Sequence, residues 1–331
     1  MVDPNAVREA AERLLGVVLR TPLVPFDAGD PRVELRVKLE CAQVGGAFKA
    51  RGAWNQIAQL SDAERRRGVV TASSGNHGRA LAWAAERAGI KACICMPANS
   101  YASKIDAARA HGAEVVLTPD RTSAEAAARV RAEAGAVEIH PYAAERTLVG
   151  AGTVALEILE DWPDVDVIVA PVGGGGLLAG CALALTAMAE RGGAPAAGTA
   201  LVGVEPEGAP GMSRALAAGR SVVLDRIDSA IQGLTPPYAG EINRAVAASV
   251  GASVVVLCDV DILAGQAALV HRGGWRVEPA GAAAVALVLQ GRLPADLYRR
   301  ASAQRPLRVA AIASGGNPDP AQFEALLAAA P

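Results

Sequence analysis

Between Val33 and Ile312, short apolar runs rich in valine and isoleucine alternate with longer stretches in which alanine and leucine recur at helical spacing. The runs are too short for core helices and read as strands, and the longer stretches read as helices. An amphipathic helix over Ala6–Leu15 comes first, followed by extended backbone forced around Pro22 in Leu19-Arg20-Thr21-Pro22-Leu23. A strand is expected over Val33–Glu40, where apolar and charged residues alternate, and a helix from Phe48 to about Leu60. The series then becomes regular: strand Val69–Ala72, helix Arg79–Arg87, strand Lys91–Met96, helix Ser103–Ala110, strand Glu114–Leu117, helix Ser123–Ala134, strand Val137–His140, helix Ala144–Leu159. A strand beginning at Val167, a helix over Leu177–Glu190, and strands Leu201–Val204, Ser253–Cys258 and Arg308–Ile312 complete it, with helices between. Such alternation predicts an α/β protein whose mostly parallel sheets are covered by helices on both faces. A chain of 331 residues is long enough for two lobes.

One strand carries a special ending. From Val167 the sequence runs Val-Ile-Val-Ala-Pro-Val and then through four glycines, Gly173 to Gly176, into Leu177. Residues without Cβ let successive N–H groups converge on one anion, and the positive end of the following helix adds to their pull. Strand, glycine turn and helix N-terminus together form a phosphate-binding arrangement; the competing reading is a tight packing turn. Val167 to Ala189 also lacks any charged residue and is long enough to span a bilayer, but Pro171 and the glycines break it as a helix.

Charge and cysteine content narrow the partners. Lys and Arg total 32 against 34 Asp and Glu, a net charge of −2, which gives no reason to expect nucleic acid or an anionic membrane. A small molecule is the expected partner. The five cysteines, Cys41, Cys93, Cys95, Cys181 and Cys258, are odd in number and mostly lie in apolar stretches, as free thiols of a reducing compartment do. Met1-Val2-Asp3-Pro4 has no secretory pattern, so a cytoplasmic protein is expected.

Four groups of residues fall where strands end and helices begin, the place where open α/β sheets bind ligands. They are Gly46-Ala47-Phe48-Lys49-Ala50-Arg51-Gly52, Ser73-Ser74-Gly75-Asn76-His77-Gly78, Gly173 to Gly176, and Ser314-Gly315-Gly316-Asn317. Lys49 opens a helix beside Phe48. Shielded from water, a lysine loses basicity and forms an imine with a carbonyl; taken alone, Lys49 reads first as an ordinary solvated surface charge. A phosphate cradle and an imine-forming lysine together describe a pyridoxal phosphate site.

These residues carry a resemblance. Arg20-Thr21-Pro22-Leu23, Lys38-Leu39-Glu40 with Gln43, the Phe48-Lys49-Ala50-Arg51-Gly52 run, Ser73 to Gly78, the four glycines, Val204-Glu205-Pro206, Glu278-Pro279-Ala280-Gly281 and Ser314 to Asn317 occur in this order. The chain resembles the serine/threonine dehydratase and serine racemase family of fold type II pyridoxal-phosphate enzymes, similar to the tryptophan synthase β fold. The resemblance implies a large cofactor-binding domain of residues 1–62 and 147–331 and a small inserted domain, 63–146. It implies that Lys49 forms an imine with the cofactor and then takes the α-proton. Cofactor contacts would come from Phe48, Lys49, Asn76, Gly173, Gly174, Gly175, Gly176, Leu177 and Ser314. Asn76 would meet the phenolic oxygen and Ser314 the pyridine nitrogen. A hydroxyl does not hold that nitrogen protonated, so the ring is a weaker electron sink, which favours expelling a β-leaving group. Ser73, Ser74, Gly75, Asn76, His77 and Gly233 would face the substrate, with Ser74 at the position of the racemases' second acid or base; the rival reading of Ser74 is a helix cap.

The implied activity is elimination from L-threonine or L-serine to a 2-oxo acid and ammonia. Racemisation and elimination from 3-hydroxyaspartate or another β-substituted amino acid are the alternatives. The family pattern is broken at Ala47, where serine is usual, and at Ala230-Ile231-Gln232-Gly233, where Ala-Asp-Gly is common. Pro210 and Gly211 stand where metal-dependent relatives carry a carboxylate after Glu205, so no metal is expected. The chain ends soon after Ser314, which implies that it lacks a C-terminal regulatory domain. The resemblance further implies a homodimer or homotetramer. Two unrelated readings compete. Gly174 to Ala179 with Glu205 fits a dinucleotide fingerprint and hence a nicotinamide-dependent oxidoreductase, although Glu205 lies far from the glycines. A silent amino-acid sensor is the other.

Overall fold

The computed structural model describes residues 2–190, 198–299 and 301–329. Ten strands form two sheets among the described residues. The larger sheet is built from β1 (Leu23–Phe26) and β2 (Val33–Lys38), while the smaller takes the next four: β3 (Val69–Ala72), β4 (Ala92–Pro97), β5 (Glu114–Thr118) and β6 (Val137–Glu138). The chain then returns to the larger sheet with β7 (Val167–Pro171), β8 (Ala200–Pro206), β9 (Ser253–Leu257) and β10 (Leu307–Ile312). The orders are β1-β2-β10-β7-β8-β9 and β5-β4-β3-β6. Every pairing is parallel except β1 with β2. The α/β class with two largely parallel, helix-flanked sheets is therefore as the alternation predicts.

Element boundaries differ in instructive places. Leu23–Phe26 pairs with β2 as an edge strand despite Pro25, a position where a missing N–H costs no ladder bond. Strand Val33–Glu40 stops at Lys38, because Glu40 turns into a 3₁₀ segment that buries its carboxylate. Asp62–Arg67 is an additional helix, opened by a capping box between Ser61 and Glu64. The helix expected from Arg79 already begins at Asn76, so His77 and Gly78 lie in its first turn.

Burial follows composition. Strands β7 and β8 are apolar and covered on both sides, with Val167, Ile168, Val169 and Ala170 fully shielded. Helix Glu145–Asp161 packs against helix Lys49–Ile57 on one side and helix Gly176–Ala189 on another. Both crossings are made by glycines: a Cβ on Gly150 would meet the Arg51 carbonyl at 2.7 Å, and one on Gly152 would meet the Gly180 carbonyl at 2.6 Å.

Beneath helix Lys49–Ile57 lies a buried ionic cluster. Arg51 donates to both Glu40 oxygens at 2.8 and 2.7 Å and to both Glu157 oxygens at 2.6 and 2.9 Å. Lys38 Nζ donates to Glu157 and to the Thr21 carbonyl, both at 2.6 Å, and the Thr21 hydroxyl donates to Glu40 at 2.5 Å. Two cations face two carboxylates. Burial alone would push the Glu40 carboxyl up, but Arg51 overcomes it and holds the group below its ordinary value. Replacing Arg51 by alanine strands the buried Glu40 carboxylate and leaves Glu157 with Lys38 alone, so Arg51→Ala is expected to lose about 3–5 kcal/mol of stability in urea unfolding; a loss below about 1 kcal/mol would show the cluster to be dispensable.

Candidate active site

Because β2, β10 and β7 are neighbours and parallel, the segments leaving their carboxyl ends emerge side by side. Lys49 follows β2, Ser314 follows β10, and the four glycines follow β7. The Phe48 N–H donates to the Ser314 carbonyl at 3.1 Å, and Ala47 bridges to Gly315, which fixes the start of the lysine helix against the β10 end. Asn76 arrives from the smaller sheet, at the first turn of helix Asn76–Ala88.

The glycine loop is shaped for an anion. Among the described residues, no hydrogen bond occupies the N–H groups of Gly173 to Leu178. Gly175 takes φ +87°, in the left-handed region, and opens helix Gly176–Ala189. Gly174 lies so close to Tyr142 that a Cβ would come within 2.3 Å of its ring. Unpaired donors at a helix N-terminus fit a phosphate.

The amine lies beside it. Lys49 Nζ donates to the Pro141 carbonyl at 2.7 Å, and the next residue, Tyr142, is the one packed on Gly174. Desolvation draws the Lys49 ammonium down to about 8. Among the described residues, no carboxylate opposes that shift. His77 and His140 are drawn down to about 3 and about 4, first by burial and then by the Lys49 charge, so both are neutral at ordinary pH.

Asn76 sits in a chain of polar contacts that sequence reading did not foresee. Its Nδ2 donates to Glu278 at 2.5 Å, its Oδ1 accepts from Asn317 at 2.8 Å, and Asn317 in turn accepts from Arg79 at 2.8 Å. Burial pushes the Glu278 carboxyl up to about 7, against the pull of Asn76 and Lys104. Ser314 is buried, and its hydroxyl has no hydrogen bond among the described residues.

The Ser73 to Gly78 segment presents backbone donors. Ser73 Oγ accepts from the N–H groups of Gly75 and Gly78 at 3.3 and 3.2 Å, so Ser73 rather than Ser74 does the work of a cap. The N–H groups of Ser74, Asn76 and His77 have no partner among the described residues. The His77 imidazole points inward, with Nε2 at 3.0 Å from the Ile139 carbonyl, leaving only its backbone on the cleft side. Gly233 is placed against the glycine loop: its carbonyl lies 2.7 Å from where a Cβ on Gly173 would be. Gln232 accepts from Lys104 at 2.7 Å, which joins helix Ala102–Ala110 to the segment carrying Gly233. Glu205 is used internally, accepting from the N–H groups of Met212 and Ser213 at 2.9 and 2.8 Å and from the Ser213 hydroxyl at 2.5 Å.

The sequence profile of the pyridoxal-phosphate dependent enzymes matches residues 14–303. The chain belongs to that family. Its cofactor is pyridoxal phosphate, and the unpaired donors of the glycine loop together with the shielded Lys49 amine fit the two ends of that molecule. Among its relatives, serine racemase of Oryza sativa subsp. indica is 34% identical over 322 residues, covering 96% of this chain and 91% of its own. L-threonine ammonia-lyase of Thermotoga maritima is 35% identical over 323 residues, covering 96% of this chain and 76% of its own. The maize serine racemase structure superposes with a TM-score of 0.87 at 33% identity, covering 99% of this chain and 97% of the other. These place this pyridoxal-phosphate dependent enzyme in the fold type II group, with racemases and ammonia-lyases at similar distance. Among the described residues, no helix is long and apolar enough to cross a membrane.

In this pyridoxal-phosphate dependent enzyme, only a neutral Lys49 amine can attack an aldehyde, and its neutral fraction rises with pH. Cofactor uptake by the apoprotein, followed by visible imine absorbance, is expected to accelerate about tenfold per pH unit below about 8 and to level off above it. Lys49→Ala should give no imine band at any pH; a retained band would place the reactive amine elsewhere.

Proposed function

We propose that this enzyme eliminates water from a β-hydroxy amino acid, L-threonine or L-serine, releasing a 2-oxo acid and ammonia. One juxtaposition supports the reading: the Lys49 amine is bonded to Pro141, next to the Tyr142 that packs on the glycine loop, while Asn76, at a helix start with unpaired N–H groups, lies against Gly315, the residue that bridges to Ala47 beside the lysine helix. When bound, pyridoxal phosphate supplies an electron sink that acidifies the α-hydrogen of an attached amino acid.

The chain's own residues do the rest. Gly173 to Leu177 hold the phosphate through backbone N–H groups, Phe48 and Asn76 border the ring, and Ser314 offers its hydroxyl to the ring nitrogen. N–H groups of Ser74, Asn76 and His77, at the positive end of helix Asn76–Ala88, hold the substrate carboxylate, with Ser73 shaping the turn and Gly75 leaving open space beside it; the resemblance adds Gly233 on the substrate side. Lys49 Nζ takes the α-proton; its lowered basicity leaves a substantial neutral fraction near pH 8. The β-hydroxyl takes up the proton that Lys49 removed and departs as water, and the freed enamine takes up water to give the 2-oxo acid and ammonia.

A second reading has a specific observation behind it. The Ser74 hydroxyl has no hydrogen bond among the described residues, so it is free to exchange a proton with the second face of the α-carbon. On this reading the enzyme also racemises serine. The resemblance further supports a division into 1–62 with 147–331 and an inserted 63–146 domain, and assembly as a homodimer or homotetramer.

Purified enzyme incubated with L- and D-serine, L-threonine and 3-hydroxyaspartate should yield 2-oxo acid and ammonia in equal amounts from at least one L-hydroxy amino acid. Ser74→Ala is expected to abolish any change in enantiomer ratio and to retain elimination. Enantiomer exchange without 2-oxo acid would overturn the lyase assignment; exchange unaffected by Ser74→Ala would remove Ser74 from it.

A further inference from the structure

Asn243 lies fully buried in helix Glu241–Ser249, some seventy residues beyond the glycine loop, and reaches back to it. Its Nδ2 donates to the Gly174 carbonyl at 2.5 Å and to the Tyr142 carbonyl at 3.0 Å. The Gly240 N–H joins it on the Gly174 carbonyl at 3.1 Å. In a trans peptide the carbonyl and the following N–H point in opposite directions. Two donors that hold the Gly174 oxygen on one side therefore direct the Gly175 N–H to the other, where the loop's donors are unpaired. Glycines flank this peptide on both sides, so without a clamp it could turn over at little steric cost.

The orientation of the Asn243 amide is fixed by the same contacts. Turned over, it would set its oxygen against two carbonyls. As it stands, Oδ1 is buried and has no partner. Leaving an acceptor unpaired is a cost, and the side chain bears it while serving the loop.

We propose that Asn243 is a positioning residue for the cofactor phosphate, locking the Gly174–Gly175 peptide with its N–H turned into the anion cradle. Through Tyr142 it also ties that cradle to the segment whose Pro141 carbonyl receives the Lys49 ammonium. The proposal rests on the reading of Gly173 to Leu177 as the phosphate site.

The test compares pyridoxal phosphate with pyridoxal, which lacks the phosphate, as ligands of the apoprotein. Affinity is read from the visible imine band, with the thermal midpoint of the unliganded protein measured alongside. For Asn243→Ala, pyridoxal phosphate affinity is expected to fall about 10- to 100-fold, the effect of losing a strong buried hydrogen bond, while pyridoxal affinity changes less than about twofold. Asn243→Asp, which offers oxygen where nitrogen is needed, should lose at least as much. Equal losses for both ligands, or no loss for pyridoxal phosphate, would overturn the proposal. Wild-type protein that binds both ligands equally would instead overturn the phosphate reading of the glycine loop, and the role of Asn243 with it. Should Asn243→Ala not fold, Asn243→Ser, whose hydroxyl is too short to reach both carbonyls, carries the same comparison.

Discussion

Arg51 sits two residues from Lys49, and its guanidinium is held by two carboxylates that arrive from opposite directions, Glu40 beyond β2 and Glu157 on helix Glu145–Asp161. Such a cluster is costly to bury and contributes little net stability against an apolar replacement. Its geometric effect is larger. Fork-shaped pairing from both sides fixes the helix about its own axis, and with it the direction in which Lys49 leaves the backbone. Lys38, balancing the second carboxylate, extends the same constraint to the end of β2, so the sheet and the Lys49 amine are referenced to one another through a closed set of charges.

Around that amine the protein withholds charge. The histidines closest to it in electrostatic effect are neutral, and its own hydrogen bond goes to a peptide carbonyl rather than a carboxylate. A carboxylate at that point would stabilise the ammonium and restore ordinary lysine basicity. Unpaired backbone N–H groups stand instead at two helix starts, Asn76–Ala88 and Gly176–Ala189. These donors carry no proton that titrates near neutrality, so on the proposed reading anion binding and proton transfer fall to different kinds of group.

The fold class was legible because strand and helix periods alternate over nearly the whole chain. The sheet order was not, since β10, last in sequence, inserts between β2 and β7, and no local pattern encodes that pairing. The four-residue edge strand beginning at Leu23 was hidden by its proline. At the site, motif residues could be read because they cluster at strand ends. Their partners could not: Glu278 meets Asn76 across 202 positions, and Tyr142 and Asn243 reach the glycines through space alone. His77 stands in a legible motif, yet the helix begins early enough to turn its ring inward, a consequence of Gly75 rather than Gly78 ending the loop.

The glycine crossings on helix Glu145–Asp161 bring one helix backbone directly against two others, the one that carries Lys49 and the one that begins at the glycine loop. Contacts of this kind have no compressible side-chain layer between them. The three helices therefore act as a caliper with fixed jaws, setting the gap between the Lys49 amine and the glycine loop by backbone contact. On the proposed reading, such a gauge would measure the cofactor by its length, from aldehyde to phosphate, before any bond is made.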